Sequence, residues 1–239
     1  MATSNHLAGT EAELVRDLAL QPDGKIVVGG QTWTPTGERD VTLDRYLVTA
    51  PPVVTVAAGA CAGDGGADVA LTLADEDTPV DELSVPATSS DTAVLADADM
   101  TISPGGAERA LAIRPDDRAT GSTVVRVTVD DGDTTTTADV SVTLGGPGVD
   151  RSTGSAAPDV VIGRRGDDVL AGREGPDVLC GGRGSDSLDG GRGDDHLGGG
   201  AGDDVLTGGP GRDTFASGTG TDAAVDASAA EGDVLSAVP

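Results

Sequence analysis

Aspartate recurs every ninth residue across one stretch of this chain: Asp159, Asp168, Asp177, Asp186, Asp195, Asp204, Asp213 and Asp222. An ionised carboxylate is a hard oxygen donor, the kind that Ca²⁺ gathers in sets of six to eight. Eight such donors at one spacing describe a repeated cation site. The residues around them keep the same period. In register from Gly154 the units read GSAAPDVVI, GRRGDDVLA, GREGPDVLC, GGRGSDSLD, GGRGDDHLG, GGAGDDVLT, GGPGRDTFA and SGTGTDAAV. Glycine opens seven of the eight units and holds the fourth position in all but the first. The eighth position is a large apolar residue in seven: Val161, Leu170, Leu179, Leu188, Leu197, Leu206 and Phe215. Glycines permit a tight turn and leave carbonyl oxygens uncovered. The residues after each aspartate then form a short strand with its middle side chain turned inward.

This GGxGxDxUx frame resembles the RTX family of hemolysin-type calcium-binding repeats. The resemblance implies a parallel β-roll in which two nonapeptides make one coil, so each turn stacks on the turn two units later, about 4.8 Å away. It places Asp168, Asp186, Asp204 and Asp222 along one edge, and Asp159, Asp177, Asp195 and Asp213 along the other. Calcium is expected between stacked turns, held by these carboxylates and by backbone carbonyls at Gly163, Gly172, Gly181, Gly190, Gly199 and Gly208. Well-matched units give four sites: 168/186, 186/204, 177/195 and 195/213. Two more, 159/177 and 204/222, depend on degenerate end units. Ser155, Arg164 and Arg173 replace glycine at the second position of the first three units, and Ala157 replaces the fourth glycine of the first. Those units could instead cap the solenoid. Stacked carboxylates repel one another, and ordering the chain costs roughly 1–2 kcal/mol per residue. The metal-free segment is therefore expected to be disordered and to fold on binding Ca²⁺. After the last unit, Asp226, Glu231 and Asp233 could add a ligand or be solvated surface acids.

Upstream elements position this segment. A first segment, residues 1–50, has β-rich runs at 14–20, 25–28 and 41–47, with Gln21-Pro22-Asp23-Gly24 as a hairpin signal. Its stretch VRDLALQPDGKIVVGGQTWTPTGERDVTLDRYL resembles one delta-60 repeat of bacterial β-propellers. A lone blade cannot bury its faces, so the reading is that the chain begins partway through a longer ancestral protein. A second segment, 51–146, carries seven short β-rich runs: 53–56, 69–73, 82–85, 100–103, 109–113, 123–129 and 138–144. That density reads as a β-sandwich, and the segment resembles the Ig-like or cadherin-like modules of bacterial surface proteins. Gly146-Pro147-Gly148 reads as the linker into a third segment, 147–239. The fold class is thus all-β: a short N-terminal meander, an Ig-like or cadherin-like sandwich, then a calcium-binding roll.

Composition narrows the function. With 41 acidic residues against 15 basic ones, the formal charge is -26, which repels nucleic acid and anionic membranes and attracts cations. Trp33, Tyr46 and Phe215 are the only aromatics, too few for a base-stacking platform. No apolar run approaches a membrane span, and MATSNHLAGTEAELV lacks the regions of a signal peptide. Cys61 and Cys180 would have to pair across a domain boundary, so they read as free thiols or as a bridge to a partner. Two histidines give a triad or zinc site little to build on. His6 falls near the N-terminus, and His196, at a seventh position, reads as solvated. Asp75-Glu76-Asp77 and Asp130–Asp133 read as hydrated turns or as calcium ligands. No catalytic motif is found.

The function these features support is calcium binding in a non-enzymatic extracellular or surface protein, a spacer or adhesive module followed by the roll. The sandwich could engage a surface or protein ligand. The alternative is the accessory C-terminal region of a secreted hydrolase whose catalytic domain lies elsewhere. A solenoid that binds ice or surfaces would need flat threonine ladders, and the strands offer only Thr207 and Thr214.

Overall fold

A computed structural model describes residues 14–20, 26–33, 39–46, 50–63, 65–227 and 231–236. The chain divides into two compact units, 1–50 and 51–239. In the first, β1 (Leu14–Leu20), β2 (Ile26–Trp33) and β3 (Arg39–Tyr46) pair antiparallel in chain order, a meander. The expected Gln21–Gly24 turn, Leu47 and His6 lie outside the described residues.

The second unit begins with two antiparallel sheets. One is ordered β4-β5-β8-β7, with β4 (Val53–Ala62), β5 (Gly66–Ala74), β7 (Met100–Ile102) and β8 (Glu108–Ile113). The other begins β6-β9-β10, with β6 (Ala87–Ser89), β9 (Gly121–Asp130) and β10 (Thr135–Leu144). Residues alternate along each strand, the period that splits a strand into two faces. Val125, Val127 and Val129 of β9 and Val140, Val142 and Leu144 of β10 are buried against Ala67, Val69, Leu71, Leu111 and Ile113 of the facing sheet. On the outer face of β9 and β10, Arg126 and Asp139 form a two-pronged ion pair at 2.8 and 2.7 Å. The run at 82–85 makes only a bridge, Ser84 to Asp130, and the strand pairing with β9 falls to β6 instead.

The sheet does not stop at β10. One edge of β10 pairs antiparallel with β9, and the other pairs parallel with β12 (Asp159–Arg165), Ser141 beside Asp159 through Leu144 beside Ile162. From there the ladder runs on in parallel through β14 (Val178–Arg183), β16 (His196–Ala201), β18 (Thr214–Thr219) and β20 (Val234–Ser236). A separate parallel sheet holds β11 (Arg151–Thr153), β13 (Val169–Glu174), β15 (Ser187–Arg192), β17 (Val205–Thr207) and β19 (Ala223–Ala224). Consecutive strands alternate between the two sheets, and each of β10 to β17 pairs with a strand 18 residues on, as Leu179 does with Leu197 and Leu188 with Leu206, while β18 pairs with β20 at a spacing of 20, Phe215 beside Leu235. This is a parallel β-roll. Its interior is the eighth-position column Val161, Leu170, Leu179, Leu188, Leu197, Leu206 and Phe215, all at most 2% exposed.

The supposed linker at Gly146-Pro147-Gly148 is part of the roll. Residues 145–153 read GGPGVDRST, a unit in the same frame. β11, its strand, lies in register on β13. Ser152 stands where the other units carry an apolar side chain, which hides the unit in the sequence.

The outer face of the β12-β14-β16 sheet is also buried. Val160, Ile162, Val178 and Cys180 belong to the same core as the strands of residues 51–144, with Val54, Val56, Ala58 and Cys61 of β4 packed against them. One sheet thus separates two cores. His196, read as solvated, is only 7% exposed on this covered face, and burial pushes its imidazole below its ordinary value.

Cys61 and Cys180 form a disulfide, with Cα atoms 5.7 Å apart and 119 residues between them. This corrects the reading of free thiols. The expected domain boundary did not keep them apart, because β4 lies directly over β14 and β16.

Candidate metal centre

Each sixth-position aspartate sits where a turn ends and a strand begins. Asp159, Asp168, Asp177, Asp186, Asp195, Asp204 and Asp213 are at most 2% exposed. Their carboxylates are tied into columns by one repeated hydrogen bond. For Asp159, Asp168, Asp177, Asp186 and Asp195 the backbone N–H donates to Oδ1 of the aspartate 18 residues later, at 2.8–2.9 Å. Asp204 donates to Asp222 at 3.1 Å.

The second oxygen is different. Oδ2 of Asp168, Asp177, Asp186, Asp195, Asp204 and Asp213 is buried and accepts no hydrogen bond among the described residues. A buried carboxylate oxygen without a partner is costly. Burial pushes the Asp177 carboxyl up to about 8 and that of Asp195 to about 7. Asp186 and Asp213 rise to about 6, and Asp168 and Asp204 shift upward too. Neighbouring carboxylates add to burial in every case.

Each orphaned oxygen borders a niche that only glycine leaves open. A Cβ on Gly163 would collide with Asp168 Oδ2 and lie 2.7 Å from the Gly181 carbonyl oxygen. The pattern repeats at Gly172 with Asp177 and the Gly190 carbonyl, at Gly181 with Asp186 and Gly199, and at Gly190 with Asp195 and Gly208. At Gly199 the carbonyl belongs to Ser217. The carbonyls of Gly163 and Gly172 border the equivalent niches at Gly145 and Gly154. Anionic carboxylate oxygens beside uncovered carbonyls, with no donor facing them, fit a hard divalent cation.

The ends are built otherwise. Oδ2 of Asp159 accepts from the Ser155 N–H at 2.6 Å and the Ser155 hydroxyl at 3.0 Å. A serine therefore satisfies the oxygen that lies orphaned in the next units. Asp150, missed in the sequence, accepts from Gly146 N–H at 2.7 Å, and its own N–H donates to Asp168 Oδ1 at 2.8 Å. At the far end Asp226 accepts from Gly208 and Gly209, both at 2.8 Å, and Asp233 accepts from Asp213 at 2.9 Å. Asp226 and Asp233 close the columns, whereas Glu231 is exposed. Asp222 is half-buried. The orphans thus lie in the middle, and both members of the pairs 168/186, 186/204, 177/195 and 195/213 carry one.

Arg164 and Arg173 hold the left-handed backbone, φ 77° and 90°, that glycine takes at this position elsewhere. Arg164 uses it to donate to the carbonyls of Asp116, Asp117 and Ala119 at 2.6, 3.0 and 2.5 Å. Arg173 pairs with Gly191 in the ladder, but its side chain makes no hydrogen bond or ion pair among the described residues. In the upstream module, carboxylate oxygens of Asp75, Asp77 and Asp131 lie within 4.8 Å of one another. Asp75 accepts from Asp77 and Thr78, and Asp131 from Asp133 and Thr134, so both also serve their own turns.

The fold and site define a parallel β-roll with two columns of cation-seeking carboxylates. Residues 144–179, 174–206 and 189–223 match the RTX calcium-binding nonapeptide repeat. The roll is therefore a run of RTX repeats, and the cation such repeats take is Ca²⁺. No curated protein matches the chain. RTX repeat proteins are typically secreted, and no described helix is long and apolar enough to cross a membrane.

Proposed function

We propose that this is a non-enzymatic extracellular or surface protein whose roll is ordered by calcium, with residues 51–144 serving as a spacer or adhesive module. The observation that carries the reading is the set of six buried carboxylate oxygens in the roll that have no hydrogen-bond partner among the described residues. A metal-free roll would hold mutually repelling carboxylates away from water, and a divalent cation between turns relieves both penalties. The ligands are the eight repeated aspartates, Asp159 to Asp222, with carbonyls at Gly163, Gly172, Gly181, Gly190, Gly199 and Gly208. The four pairs with two orphaned oxygens are the strongest sites. At the Asp159 end, Ser155 competes with the cation for the carboxylate. The disulfide supports an oxidising location outside the cell.

Calorimetric Ca²⁺ titration of the whole chain, with circular dichroism and amide exchange, tests this. At least four ions should bind, and residues 159–219 should gain β-structure and exchange protection. Full β-structure and protection across 159–219 in excess chelator would overturn the reading.

A further inference from the structure

The roll and residues 51–144 are joined in four ways that the repeat chemistry does not require. The β10–β12 pairing starts the roll on a preformed strand edge. The face of β12 and β14 shares a core with β4, β5, β9 and β10. Arg164 leaves the glycine rule of its position to grip three carbonyls of the 116–119 loop. The Cys61–Cys180 disulfide ties β4 to β14, the strand that begins just after Asp177. Gly198, beside Cys180 in the ladder, fits this arrangement. A Cβ there would lie 2.7 Å from the Cys61 sulfur.

We propose that residues 51–144 are the folding template of the roll and that the Cys61–Cys180 disulfide is a redox latch on it, so that the oxidised chain orders its roll at lower calcium than the reduced chain. The proposal rests on the reading of the roll as calcium-ordered. Docking biases β12, β14 and β16 toward their places against residues 51–144, which lowers part of the ordering cost that ion binding must otherwise overcome. The disulfide adds to this by excluding unfolded conformations in which β14 wanders from β4. Opening the latch takes two electrons and two protons: a small dithiol breaks the one S–S bond, leaves thiols on Cys61 and Cys180, and becomes a cyclic disulfide. Linkage makes the effect reciprocal, so calcium protects the disulfide from reduction by the same factor.

The test compares calcium midpoints of the full chain, oxidised and dithiol-reduced, by circular dichroism and calorimetry. The Cys61→Ser/Cys180→Ser variant serves as a control that a reductant cannot alter. We expect a midpoint about tenfold higher for the reduced chain and the variant. Midpoints within twofold of each other would overturn the latch while leaving the calcium reading intact. An oxidised chain that is fully folded without calcium would overturn both. Should the variant fail to fold in saturating calcium, the reduced wild-type chain still decides the question. The reciprocal arm follows the ratio of disulfide to thiol in a dithiol redox buffer. A ratio unmoved by saturating calcium would also sink the latch.

Discussion

The two sheets of the roll are written in one nine-residue frame, yet they live in different environments. On the docked sheet Val160 and Val178 are each 1% exposed, while Val169 and Val205 at the same position of the solvent-facing sheet are 36% and 43% exposed. The aspartates follow this division only where the covering is deepest: Asp177 and Asp195, which lead into the docked sheet, are pushed up to about 8 and 7, whereas Asp213, further along the same sheet, and Asp186, which leads into the other, reach about 6. The comparison teaches that the frame controls what points into the roll. What points out of it is decided unit by unit, by whatever lies alongside.

The largest expected effect comes from removing one charge on the docked edge. Asp177→Asn keeps the acceptor for the Asp159 N–H but takes an anionic oxygen from two neighbouring pairs. Calorimetry should show tenfold or greater weakening, about 1.4 kcal/mol, at the affected sites. Thermal melts in chelator should show the opposite sign, a gain in stability, because a buried unpartnered charge is gone. Asp186→Asn should gain less. Equal gains would break the distinction between the edges.

Acid should act in the same direction. Burial raises the carboxyls of Asp177, Asp195, Asp186 and Asp213 to about 8, 7, 6 and 6 in the folded metal-free roll, from an ordinary value of 3.8, and raises those of Asp168 and Asp204 as well. Folding thus binds protons, so this stabilisation is fully present below about 4 and is lost as pH rises through 6 to 8. His196 opposes the trend, since its lowered value costs stability as pH falls, but it is one group against six. Circular dichroism in chelator should show more β-structure at pH 5 than at pH 8.5. Calcium uptake near pH 7 should release protons, visible as a dependence of binding heat on buffer ionisation enthalpy.

A hydroxyl probes the covering more gently. Val178→Thr should destabilise the calcium-loaded protein by about 1–2 kcal/mol, because its oxygen would enter an apolar core. Val205→Thr should stay within about 0.5 kcal/mol, as exposed changes do. Denaturant melts measure both.

The smallest effect separates the two left-handed arginines. Arg173→Gly relieves a conformation disfavoured by roughly 1 kcal/mol and gives up no hydrogen bond among the described residues, so stability should rise by about that much. Arg164→Gly relieves the same strain but loses three charge-assisted bonds to carbonyls, so its net change should be zero or negative. A rise equal to that of Arg173→Gly would show that the Arg164 grip contributes nothing.

Much of this was legible in the sequence. The frame from Gly154 gave the inward column from Val161 to Phe215, and its resemblance to RTX repeats implied the two-unit coil and both rows of aspartates, because a solenoid repeats one short-range contact. Residues 145–153 kept the glycines and Asp150 in that frame, but Ser152 at the apolar position hid the unit. Asp226 and Asp233 stood after the repeat had lost its register, and only hydrogen bonds to Gly208, Gly209 and Asp213 reveal their place. The run at 82–85 had strand character, and pairing geometry assigned the strand to Ala87–Ser89.

The nine-residue period by itself determined the roll, its inner core and its demand for a hard cation, since each depends on neighbours a fixed 9 or 18 residues away. Only the tertiary structure decided that one face would be covered, that His196 would be buried and that Cys61 would meet Cys180. Those contacts join segments of unlike sequence across as many as 119 residues, and no local pattern records which distant surface a strand will face.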